Sequence, residues 1–273
     1  MLELAGLVPL GFAVGAFGTL VGAGGGFILV PVLLALYPET RPSTITSMSL
    51  LVVTANALSG SIGYGLQRRI DLRSGLMFAC ATLPGAIAGS LLVGALPRAG
   101  FEVIFALALG SVGAWLILWR PSTAMREPAR GRWVLERTIR DRDGDTYRYT
   151  FKGLPAVAFS AAAGFFSSLL GVGGGFIQVP IMTGLLHFPV HIATATSQFV
   201  LMFMSIEGVS VHLANGDLGW DINLARALFL AVGAVGGAQA GALLARRIPA
   251  QMITRLLAVA LILVALRLGL SAL

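Results

Sequence analysis

"GAGGGFILVP" (Gly22–Pro31) recurs as "GVGGGFIQVP" (Gly171–Pro180) in the other half of the chain, each copy set inside hydrophobic sequence. In a soluble α/β protein a glycine cluster of this kind follows a strand and cradles a phosphate. The surroundings exclude that here. The 273-residue chain is 56% hydrophobic and 11% charged, with mean hydropathy +0.87, whereas a soluble domain carries about 25% charged residues. The few charges are also segregated: between Leu4 and Tyr64 only Glu39 and Arg41 are charged, and between Gly153 and Leu213 only Glu207 is. A water-soluble fold cannot cover its surface with so little charge, so the chain is an integral membrane protein.

Hydrophobic segments lie near 4–21, 26–37, 44–64, 74–95 and 100–119, and again near 154–170, 175–188, 192–213, 224–245 and 250–270. The two sets align. "TITSMS" (44–49) matches "TATSQF" (194–199), "IDLRSG" (70–75) matches "INLARA" (222–227), and Gly85, Gly89 and Pro97 match Gly237, Gly241 and Pro249. Landmarks repeated in the same order indicate an internal duplication. The expected organisation is a first membrane repeat (1–119), a polar linker (120–152) and a second membrane repeat (153–273).

The linker is rich in arginine and marks the cytoplasmic side. Counting crossings outward from it, "QRRIDLR" (67–73) and "RRIP" (246–249) both fall inside only if each half crosses an odd number of times. That makes the halves inverted, with both chain ends outside. Segments 26–37 and 175–188 are too short for a span of about 20 residues. The expected fold is therefore an all-α membrane protein of two inverted-topology repeats. Each has a glycine-broken re-entrant or short-helix hairpin plus three transmembrane helices. Within the linker, 132–151 alternates loosely around "DGD", which predicts a β-hairpin; a solvated loop is the alternative. The start lacks a basic n-region, so the first segment is expected to belong to the mature protein.

Non-helical backbone survives within a bilayer only where protein buries it or where it lines a watery cavity. Gly24, Gly25, Gly26 and Gly173, Gly174, Gly175 break their helices and free N–H groups. The short helices opening at Phe27 and Phe176 aim their positive ends at the break. Two inverted copies would bring these ends together near the midplane. No lysine or arginine lies deep in an apolar segment, so backbone dipoles become the candidate for attracting an anion. The competing explanation is close helix packing, which is the expectation for Gly85, Gly89, Gly237 and Gly241. Thr46, Ser47 and Ser49, with Thr196, Ser197 and Gln198, open the segment after each hairpin and offer neutral donors to an oxyanion; bonds to their own helix carbonyls are the alternative. Gln178, standing where the first copy has Leu29, and Asn56 join the candidate substrate-binding set. Glu207 is the carboxylate well inside an apolar segment and the candidate for proton coupling. Cys80 is expected to be a small packed residue, and His187, His191 and His212 lie near segment ends with no metal signature. No cofactor is expected, and the charge balance does not call for nucleic acid.

At these residues the sequence resembles the sulfite exporter TauE/SafE family, also called the toluene sulfonate uptake permease family. The likeness rests on the paired glycine stretches, the threonine/serine segments after them and the polar linker, and it covers 4–119 and 153–270. The resemblance implies a multi-pass permease of the cell inner (plasma) membrane for small sulfur-containing anions such as sulfite or organosulfonates. Its partners would be the small anionic substrate and the lipid bilayer, with proton coupling and a homodimer left open. From the residues alone, two other classes compete. A membrane enzyme lacks a nucleophile–base pair or metal cluster in the sequence, and a passive anion channel would make no use of inverted broken helices. A carrier for a non-sulfur organic anion is a further alternative. No G-x-x-x-x-G-K-[ST] stretch occurs, so a gradient or a partner would supply the energy.

Overall fold

The computed structural model describes residues 2–118 and 133–271; the linker from 119 to 132 lies outside the described residues. The short α1 (Leu2–Ala5) leads into α2 (Leu7–Val21), which turns at the first glycine cluster into α3 (Gly26–Leu36). Three long helices follow: α4 (Pro42–Leu66), α5 (Leu72–Val93) and α6 (Arg98–Leu118). A two-stranded antiparallel hairpin, β1 (Val134–Arg140) and β2 (Thr146–Lys152), then leads directly into α7 (Gly153–Leu170). The second glycine cluster turns the chain into α8 (Gly175–Leu185), whose last five residues are wound as a π-helix after Pro180. The chain closes with α9 (Val190–Ala214), α10 (Ile222–Leu244) and α11 (Ala250–Ser271).

Among the described residues, seven helices (α4, α5, α6, α7, α9, α10 and α11) are long and apolar enough to cross a bilayer, while α2, α3 and α8 are shorter. The protein is an all-α multi-pass membrane protein. The linker hairpin expected from the sequence is present, with Asp141–Asp145 as its turn.

Composition explains the packing. With lipid tails as apolar as leucine, helices associate where small residues let backbones approach. On α10, Gly233, Gly237 and Gly241 lie so close to α2 that a Cβ on each would come within 2.0–2.2 Å of the carbonyl oxygens of Val8, Phe12 and Ala16. On α5, Gly85 and Gly89 meet the carbonyl oxygens of Ala161 and Phe165 on α7 at 2.0 and 2.2 Å in the same sense. Each hairpin's first helix is thus packed against a helix of the opposite half, so the two halves interlock. Helices α4 and α9 cross at the centre and are the most buried of the spans; α6 pairs with α11 and both are the least buried. Cys80 is not packed inside: it is exposed on the outer face of α5, where lipid rather than protein would cover it.

Side-chain contacts define two ends of the bundle. At one end Arg98 opens α6 and donates to the carbonyls of Leu34, in the last turn of α3, and Pro38, just after it, while Arg226 of α10 lies 3.9 Å over the Tyr37 ring. At the other, Arg69 from the α4–α5 turn and Arg246 from the α10–α11 turn both pair with the linker hairpin. There too Phe188, after α8, packs in tilted contact with Tyr149 and Phe151 of β2, with ring centroids 4.4 and 4.9 Å apart. The α2–α3 hairpin therefore opens toward the first end and α7–α8 toward the linker end.

Candidate functional site

Both glycine clusters bend the chain by one local device. Gly22, Gly24 and Gly25 have φ of 74°, 73° and 82°, and Gly171, Gly173 and Gly174 have 68°, 81° and 67°. L side chains rarely adopt this left-handed region, which is why a run of glycine is needed. Gly22 and Gly171 cap α2 and α7, and Gly25 and Gly174 stand just before α3 and α8. Residues 22–27 and 171–176 are all buried.

The two bends touch. A Cβ on Gly26 would lie 2.6 Å from the Val172 carbonyl oxygen, and one on Gly175 would lie 2.4 Å from that of Gly22. Val53 of α4 and Leu201 of α9 press on both Gly24 and Gly173. Close packing is thus one established use of these glycines. The bends also leave donors over. Among the described residues, the N–H groups of Gly25, Gly26 and Phe27 have no partner, nor do those of Gly173, Gly174 and Phe176.

Two serines brace the bends from the central helices. Ser49 donates to the Gly171 carbonyl at 2.7 Å, and Ser197 donates to that of Gly22 at 2.9 Å. Thr46 packs on Gly171 as Thr194 packs on Gly22. These reciprocal contacts pair Ser49 with Ser197 and Thr46 with Thr194. The sequence alignment, which set Ser49 against Phe199 and Thr46 against Thr196, is therefore two residues out of step along this helix.

The remaining candidates divide. Ser47 bonds back to the Ser43 carbonyl of its own helix at 2.6 Å, and Thr196 accepts from the backbone N–H of Asp71 at 3.0 Å. Asn56 and Gln198 meet in one buried cluster. Gln198 Nε2 donates to Asn56 Oδ1 at 2.8 Å, Thr19 Oγ1 donates to the same oxygen at 3.0 Å, and Asn56 Nδ2 donates to the Gly15 carbonyl at 3.0 Å. Gln178 Nε2 lies 3.4 Å from Ser160 Oγ. Buried polar atoms without a partner include Thr46 Oγ1, Ser167 Oγ, Ser168 Oγ, Gln178 Oε1, Gln198 Oε1 and both carboxyl oxygens of Glu207. Of these, Ser167 and Ser168, like Thr19, were missed in the sequence; they precede each glycine cluster as "GTLVG" and "SSLLG". No group of three or more metal-ligating residues occurs among the described residues, and His212 instead faces Asp217, Nδ1 to Oδ2, at 2.8 Å.

The linker hairpin is tied to this core. Asp141 accepts from Arg69 Nε and Nη2 at 3.2 and 3.0 Å and from the N–H groups of Asp143 and Asp145. Burial pushes its carboxyl up, but the Arg69 hydrogen bonds, those backbone donors and the Arg69 charge outweigh this and hold it below the usual range. Asp143 bridges Arg69 and Arg246. Tyr149 donates to Asp71 at 2.8 Å, and burial and that carboxylate raise its phenol above its ordinary value.

Residues 7–268 match the family model described as sulfite exporter TauE/SafE. The chain belongs to the sulfite exporter TauE/SafE family. It is 30% identical over 264 residues to the probable membrane transporter protein YunE of Bacillus subtilis, covering 94% of each chain. A probable membrane transporter protein of Xylella fastidiosa (strain Temecula1) is 27% identical, over 88% of this chain and 83% of the relative. The probable membrane transporter protein MJ0441 of Methanocaldococcus jannaschii is 25% identical, over 80% and 75%. No solved structure matches the chain. The TauE/SafE membership makes this a membrane transporter rather than an enzyme.

Proposed function

We propose that the protein is a secondary carrier of small sulfur-containing or organic anions, such as sulfite or organosulfonates, working by alternating access between two inverted repeats. The observation that carries this reading is the meeting of the two glycine bends: hairpins opening to opposite ends touch in the buried centre, each with backbone N–H groups left unpaired. Fixed neutral dipoles hold an anion without burying a compensating charge. The close α2–α10 and α5–α7 seams make two bodies, each drawn from both halves, that can rock about a central site. In this reading the linker end faces the cytoplasm, both termini lie outside, and Glu207 exchanges protons during the cycle.

Reconstituted protein tests it. Thermal stabilisation by sulfite, thiosulfate, sulfoacetate, taurine or carboxylate analogues identifies the anion, and counterflow in proteoliposomes identifies the mechanism. A carrier gives saturable uptake accelerated by the same anion on the far side. Flux that rises linearly with concentration and shows no such acceleration would mean a channel and would overturn the alternating-access reading.

A further inference from the structure

We infer that the two glycine bends are functionally unequal, and that the second, Gly171–Gly175, is the half that grips the substrate, taking a monoanionic oxyanion head group such as hydrogen sulfite or a sulfonate. This inference rests on the carrier reading above and narrows it.

The reciprocal serine bonds and the glycine contacts fix which positions of the two halves are equivalent. Gly60 faces Gln198 and Thr19, while Gly208 faces Leu50 and Ser168. Around the first bend the side-chain hydroxyls are paired. Thr19 and Gln198 both donate to Asn56, and Thr194 donates to the Val190 carbonyl of its own helix at 2.8 Å. The position before Thr19 is Gly18, so close to the bend that a Cβ there would lie 2.2 Å from the Gly25 nitrogen. Leu29 follows in the helix. In this half the Thr19, Thr194 and Ser197 hydroxyls all have acceptors, and the unpaired Gln198 Oε1 is itself an acceptor with no proton to offer an anion.

Around the second bend the same positions carry polar side chains that are almost wholly buried and have an unpaired atom. Ser167 stands where Gly18 stood, and a Cβ on Gly174 would be 3.1 Å from its Oγ. Thr46 packs its methyl group on Gly171 and leaves Oγ1 without a partner. Ser168 replaces Thr19 and lies with Leu50, which stands in place of Gln198, against Gly208, and Gln178 replaces Leu29. Exposure of all four is 1% or less. A buried hydroxyl left unpaired is unfavourable, and three at one bend, those of Thr46, Ser167 and Ser168, against paired hydroxyls at the other, point to a ligand that accepts from them. With the free N–H groups of Gly173 and Gly174, the bend presents several neutral donors and no cation. Neutral donors can replace the hydration of one negative charge far more readily than that of two, hence the monoanion.

The test uses the full chain in nanodiscs and proteoliposomes, with hydrogen sulfite, methanesulfonate, acetate and sulfate as probes. Ser167→Ala removes a hydroxyl with no protein partner, so the ligand-free protein should unfold at the same temperature or higher. Its KM for the transported monoanion should rise about tenfold. Thr19→Val, at the first bend, should lower the unfolding temperature and leave KM within about twofold. Sulfate should stabilise the parent protein less than methanesulfonate at equal concentration. An unchanged KM in Ser167→Ala, or a larger KM effect from Thr19→Val, overturns the assignment while the carrier reading stands. Failure of the parent protein to bind or move any of the four anions overturns both.

Discussion

Asp141→Asn should release the linker hairpin from the membrane domain. The Asp141 and Arg69 side chains are 0% and 7% exposed, with two nitrogen–oxygen contacts of 3.0 and 3.2 Å. Removing one member of a buried ion pair typically destabilises by about 3–5 kcal/mol, because the other charge is left uncompensated. Two features lower the figure here. An asparagine oxygen can still accept the N–H groups of Asp143 and Asp145, and Arg69 keeps the half-exposed Asp143 at 3.4 Å. The expected loss is about 2–3 kcal/mol, or roughly a 30- to 150-fold shift in the docking equilibrium. Amide hydrogen exchange of β1 and β2 in nanodiscs reads it directly: protection should fall by that factor there and stay unchanged in the central helices. The double variant Arg69→Met with Asp141→Asn should recover part of it, since no uncompensated guanidinium is left and the asparagine oxygen still accepts the N–H groups of Asp143 and Asp145. The pH dependence has a definite sign. A carboxyl held below its ordinary value contributes stability that is complete above about pH 4 and is lost as pH falls through the lowered value. Docking should thus be insensitive to pH in the neutral range and fail only in strong acid. Equal exchange protection in Asp141→Asn and the parent would refute the idea that this pair fastens the hairpin.

Ser49→Ala and Ser197→Ala should destabilise by similar amounts, about 1 kcal/mol each, because each deletes one bond to a bend carbonyl; a thermal shift seen in only one would break their equivalence. Gly26→Ala should lower stability by about 1–3 kcal/mol, since its Cβ would press on the backbone of Val172, whereas Gly94→Ala, with nothing within 4 Å of the new methyl, should be neutral in the same unfolding assay. Glu207→Gln should still exchange the anion across proteoliposomes but fail to accumulate it when a pH difference is imposed; pH-driven flux equal to the parent's would remove Glu207 as the proton carrier.

The membrane class, ten of the helices and the linker hairpin were legible because each rests on a local signal. Apolar runs, proline and glycine breaks, and the alternation on either side of Asp143 are all set within a few residues. The interlocking of the halves was not legible. Nothing in the order of segments says that α2 packs on α10 or α7 on α5; only the fourfold spacing of Gly233, Gly237 and Gly241 hints at a close partner, without naming it. Cys80 was misplaced for a related reason. In a chain this apolar, hydrophobic neighbours do not separate a protein-facing position from a lipid-facing one.

The instructive error lies in the threonine/serine segments. "TITSMS" and "TATSQF" align best by identity with Thr46 on Thr196, yet the contacts pair Thr46 with Thr194 and Ser49 with Ser197. Threonine at alternate positions in both copies permits either register. On a helix the two registers are far apart, because two residues turn the chain by about 200° and exchange the facing and averted sides. Thr46 and Ser49, three residues apart, share the side that meets Gly171, and Thr194 and Ser197 share the side that meets Gly22. Ser47 and Thr196, which the identity alignment favoured, point elsewhere: one bonds to its own helix and the other holds the Asp71 N–H that begins α5. Identity counts residues; the fold is set by the helix face presented to a bend whose carbonyl needs a donor. Once the face is right, the unequal neighbours of the two bends stand out, with Asn56 accepting from the Thr19 hydroxyl at one while the Thr46, Ser167 and Ser168 hydroxyls stay unpaired at the other.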